Sequence, residues 1–100
     1  MANACIHAGK RWVGQLVEAL KKEYQETVTL TRWDWKAYGA MYLLRLDVDD
    51  QYDVGAQVQG FTRSQMRECG NPDSAYDGVR DEMERTIRWQ FALLARQQQP

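Results

Sequence analysis

The residues of this chain with the chemistry to react or to bind an ion are two cysteines, a single histidine, a run of aspartates and seven scattered glycines. Cys5 and His7 stand two positions apart, and Cys69 is far along the chain. A zinc site would have to gather both thiols, the imidazole and a carboxylate from spacings that match no metal knuckle. As a nucleophilic pair, Cys5 and His7 lack a third residue to orient the base. Free, partly buried thiols are the expectation, with no metal and no catalytic residue.

The acidic stretch Asp47-Val48-Asp49-Asp50-Gln51-Tyr52-Asp53 invites comparison with a calcium loop. Gln51 and Tyr52 stand where such a loop needs an oxygen ligand and a glycine, and its twelfth position is Val58 rather than glutamate. Asp47, Asp49, Asp50 and Asp53 therefore read as a solvated acidic surface. The glycines form no GxGxxG and precede no Walker-type lysine, which excludes those nucleotide-binding classes. No cofactor is expected, and an enzyme is not the expectation.

The elements that must position these residues follow from hydrophobic periodicity. Trp12, Val13, Leu16, Val17, Leu20 and Tyr24 recur at three-and-four spacing, predicting an amphipathic helix from about His7 to Gln25 that Asn3 could cap in a longer form. Glu18 and Lys22 form a favourable pair four apart on its polar face. From Thr27 to Trp35 the period is two, and the residues are β-branched or aromatic, as a strand requires. Residues 36–40 then read as a hairpin loop, Met41–Asp49 as a half-buried strand and Val54–Gln59 as a weaker third strand. Thr62 or Ser64 starts a short helix that Gly70 stops in a left-handed conformation. Asn71-Pro72 opens a last helix, with Asp73, Asp77 and Asp81 in its early turns and Tyr76, Val79, Met83, Ile87, Phe91 and Leu94 as its buried stripe.

The predicted fold is thus α+β in the order α-β-β-β-α-α: a long N-terminal helix, a three-stranded antiparallel meander, a short helix and a long C-terminal helix. The helices pack on one sheet face. One hundred residues suit one domain spanning 1–100, with 1–4 and 97–100 expected to fray. At 44% hydrophobic and 27% charged, the composition is that of a folded chain.

Register supplies the one candidate surface. If Trp35 opposes Met41, then Leu30 opposes Leu46, Val28 opposes Val48, and Leu44 opposes Val58. One apolar face results across all three strands. The same register puts Trp33 opposite Leu43 on the other face, making an apolar island of Trp33, Trp35, Met41 and Leu43 near the hairpin tip. Arg32, Asp34, Lys36 and Tyr38 complete its surroundings. Such an island on a wet sheet marks an interface, and four tryptophans in the chain fit a hot spot, the alternative being that a bulge or the short helix after Phe61 buries both Trp33 and Trp35.

A net charge of −1 gives no general pull toward phosphate backbones or acidic membranes. The element order is also that of double-stranded-RNA-binding domains. Those place lysines at the start of the second helix, where this chain has Asp73, Asp77, Asp81 and Glu82, so direct nucleic-acid binding is not expected. Apolar runs are short and the N-terminus lacks the pattern of a signal peptide, so a cytoplasmic protein without a membrane segment is the expectation. The functional expectation is a non-enzymatic protein-binding module that occupies a partner's surface, as adaptors and regulators do. Small inhibitors of host defence complexes, of the anti-CRISPR kind carried by phages and mobile elements, are one such group. The alternative is a homo-oligomeric accessory protein, a dimer joined through the tryptophan face.

Overall fold

In the computed structural model, which describes residues 2–48, 57–73 and 77–97, three helices and a three-stranded antiparallel sheet follow one another in the predicted order. Helix α1 (Ala2–Glu23) buries Ile6, Val13, Val17 and Leu20 along one stripe, and Lys21 and Lys22 lie in its last turn, where the helix dipole favours cations. It starts well before His7, at Ala2, so Asn3 lies inside the helix rather than capping it.

Strands β1 (Leu30–Tyr38), β2 (Met41–Val48) and β3 (Gln57–Thr62) form a meander in the order β1-β2-β3. The β1–β2 register differs from the expected one, and the reason lies at both ends of β1. A two-residue turn, Gly39-Ala40, replaces the five-residue loop, with Gly39 at φ 60° as the primed hairpin turns require. At the other end the register shifts between Leu30 and Arg32, a bulge that lets Leu30 and Trp33 point to the same side. Trp33 therefore opposes Leu46 and Trp35 opposes Leu44. Both tryptophans sit half-buried on the helix-covered face, not on the open one. Keeping Arg32, Asp34 and Lys36 in water fixes this choice, because a continuous alternation from Leu30 would carry all three charges inward.

The β2–β3 pairing also lies one residue from expectation, with Leu44 opposite Gln59 and Tyr42 opposite Phe61. This register buries Phe61 and leaves Val58 outward, opposite Arg45. The larger aromatic surface wins over the smaller aliphatic one. The strand accordingly extends to Thr62 rather than ending near Gln59.

Helix α2 (Arg63–Cys69) opens on a complete capping box: Thr62 Oγ1 accepts from the Gln65 N–H at 3.0 Å, and Gln65 Oε1 accepts from the Thr62 N–H at 2.8 Å. Gly70 ends it at φ −92°, ψ −4°, a right-handed conformation instead of the expected left-handed stop. Glycine is required there for space: a Cβ on Gly70 would overlap the Cys5 carbonyl and the Gly9 backbone, and one on Gly9 would overlap the Met66 carbonyl. The two glycines let α1 and the end of α2 touch backbone to backbone.

The capping of the last helix by Asn71 turns on residues 74–76, which lie outside the described residues. Asn71 Oδ1 accepts from the Asp73 N–H at 3.0 Å, the bond an N-cap makes to the second helical residue, and helix α3 is described over Asp77–Gln97. Tyr76, expected on its buried stripe, lies outside the described residues. Met83, Ile87, Phe91 and Leu94 are buried as the periodicity predicts, and they join α1, α2 and the inner sheet face in one hydrophobic cluster. Arg80 on α3 donates from Nε to the Cys69 carbonyl at 2.8 Å and lies over the Trp12 ring at 5.2 Å, tying three helices together. Arg88 joins Glu84 and Glu23, both at 2.9 Å, and so pins α3 to the end of α1; the two carboxylates raise its pKa.

Candidate functional site: the open sheet face

The open face of the sheet is built from alternate residues of three strands. In successive rungs it presents Tyr38 beside Met41 and Thr62, Lys36 beside Leu43 and Gly60, Asp34 beside Arg45 and Val58, and Arg32 beside Asp47. Tyr38 is 74% exposed and Val58 50%, unusual for large apolar side chains. Gly60 leaves a gap in β3 that the neighbours fill: a Cβ there would stand 2.9 Å from Met41 Cε and 3.3 Å from Leu43 Cδ2. Met41 and Leu43 thus lie over the bare backbone of Gly60, and with Tyr38 and Val58 they make a continuous apolar strip.

The far end of the face is charged and ordered. Asp47 accepts from Arg45 Nε at 2.8 Å and from Arg32 Nη2 at 3.2 Å. Its side chain is 14% exposed. Partial burial raises its pKa, but the bonds from Arg45 and Arg32 outweigh this and hold the carboxyl below its ordinary value. Asp47 is therefore neutralised locally rather than part of a free acidic surface. Asp49, Asp50 and Asp53, and the rest of the supposed calcium loop before Gln57, lie outside the described residues.

Of the eight residues expected to form the patch, the structure gathers Met41, Leu43, Arg32, Asp34, Lys36 and Tyr38 on one face and moves Trp33 and Trp35 to the other. Trp33 donates from Nε1 to Glu18 at 2.7 Å, and a Cβ on Gly14 would stand 3.1 Å from its Cη2, so the ring lies directly on α1. Val58 and Gly60 were missed as site residues because the expected register turned Val58 inward. Trp89, 57% exposed on α3, was also missed, although its place off the Met83-Ile87-Phe91-Leu94 stripe was readable.

The chemical candidates are dispersed. Cys69 is buried, which pushes its thiol up to about 11, whereas His7 is exposed and Cys5 half-buried. Among the described residues no three His, Cys, Asp or Glu side chains are placed to hold a metal ion, and no helix is long and apolar enough to cross a membrane. A shallow hollow of about 330 Å³ is lined by Glu18, Lys21, Lys22 and Gln25. Comparison with family models, curated proteins and solved structures finds no match.

Proposed function

We propose that the chain is a non-enzymatic protein-binding module whose open sheet face occupies a partner's surface. The observation that supports this most directly is the apolar strip on that face, exposed at Tyr38 and Val58 and half-buried at Met41 and Leu43, bordered by Arg32, Asp34 and Lys36. An open sheet face that only meets water would carry polar residues there. Tyrosine and arginine beside a flat aliphatic strip suit a hot spot with a polar rim. Adaptors, regulators and inhibitors carried by phages or mobile elements act by such contacts, in the cytoplasm of a cell.

The test uses Val58→Glu and Tyr38→Ala, both at exposed positions. The tagged protein should capture a reproducible complex, and each variant should weaken capture about thirtyfold or more, as hot-spot residues do. Melting temperature should stay near that of the parent chain. Undiminished capture by both variants would refute the assignment of this face.

A further inference from the structure

β1 is an edge strand with β2 as its ladder neighbour, and it runs from Arg32 to Tyr38 without a register shift. Tyr38 and Met41 close a two-residue turn, so they form a hydrogen-bonded pair, and the main-chain groups of Arg32, Asp34, Lys36 and Tyr38 serve β2. The N–H and C=O groups of Trp33, Trp35 and Ala37 then point away from the sheet. A strand laid antiparallel along this edge would find its partners ready.

Charged side chains on an edge strand usually discourage pairing. Here they discriminate among registers for a second copy of the same strand. Centring a two-fold pair on Asp34 sets Asp34 against Asp34 and Arg32 against Lys36, repulsive throughout. Centring on Lys36 sets lysine against lysine. Centring on Trp33 runs the pair into the bulge between Leu30 and Arg32. Centring on Trp35 sets Asp34 against Lys36 twice and Arg32 against Tyr38 twice, opposite charges and cation against ring. On the other face that register places Trp33 across from Ala37, bulky against small, and Trp35 across from itself. Asp34 and Lys36 have no ion-pair partner among the described residues, and both are exposed.

We infer that the chain forms a two-fold dimer by antiparallel β1–β1 pairing centred on Trp35. The two sheets then merge into one of six strands. Because the axis stands perpendicular to that sheet, both open faces lie on the same side, and the two apolar strips become one bivalent surface. The dimer can be tested apart from what that surface binds through Val58, which lies on β3 away from the shared edge, whereas Tyr38 belongs to both.

Sedimentation velocity over a concentration series tests this. The parent chain should dimerise, and Asp34→Lys or Lys36→Asp alone should weaken the dimer by roughly tenfold or more, since each places like charges opposite one another twice. Mixing those two variants should give a one-to-one heterodimer, and the double swap should associate with itself again. Hydrogen exchange should show the Trp33, Trp35 and Ala37 amides protected in the dimer and released in either single variant. A parent chain that stays monomeric at every concentration overturns the inference. So does a dimer indifferent to both swaps, or one that Val58→Glu alone dissociates while those three amides exchange freely.

Discussion

Trp33 lays its ring against Gly14 and gives its N–H to Glu18, so a residue that reads as a surface anchor is a strut between sheet and helix. The two contributions separate by mutation. Trp33→Phe keeps most of the ring and loses the hydrogen bond, and should cost about 1 kcal/mol, whereas Trp33→Ala should cost about 2 kcal/mol or more through lost packing. Urea titration measures both, and equal losses would show that the bond alone matters. Asp47 acts in the same way at the other end of the face. Its folded pKa is lowered, so its stabilisation is complete above the ordinary carboxylate range and is lost as pH falls through the lowered value. Asp47→Asn should therefore cost about 1 kcal/mol near neutrality and nearly nothing in strong acid, read from melting temperature against pH. The fate of these residues was partly legible. Arg32, Asp34 and Lys36 alternate with Trp33 and Trp35, and burying three charges is far costlier than burying two indoles. That alternation conflicts with the one from Val28 to Leu30, and only a bulge between the two reconciles them.

Among the elements, the helices were the most legible because each carries its own evidence. The stripe Met83, Ile87, Phe91, Leu94 is internal to α3, and the Thr62–Gln65 capping box is internal to the start of α2. Register is a relation between segments, and two length choices, a two-residue turn and a bulge, were enough to carry β1 to the opposite pairing. The close approach of α1 and α2 was equally invisible, since a glycine admitted for space looks in sequence like one admitted for conformation. Gly70→Ala separates the two roles. Its backbone angles suit any residue, so a loss of about 3 kcal/mol would report steric overlap with Cys5 and Gly9. Thermal unfolding measures it, and a neutral result would mean that α2 can move away from α1 at little cost.

At the scale of the whole molecule, the described residues extend 45 by 26 by 15 Å, a slab of two layers with helices on one side only. A slab this thin leaves a large share of its sheet in water, and the placement of charge decides how safely. Opposite signs alternate along β1 while the net charge is close to zero, so neither a strong long-range field nor a uniform edge repels a second copy. Association through that edge would make the melting temperature of the parent chain rise with protein concentration, and that of Lys36→Asp would rise less.

The bulge beside Thr31 also sets how this hairpin can change over generations. Leu30 and Trp33 share a face only because the bulge absorbs one extra residue, so deleting Thr31 would leave a regular alternation with the same facing, Leu30 and Trp33 inward and Arg32 outward. Point substitutions along β1 alter the surface gradually. A deletion at its root would only straighten the strand, whereas one residue gained or lost between Arg32 and the Gly39-Ala40 turn would carry the residues on one side of the change to the opposite face.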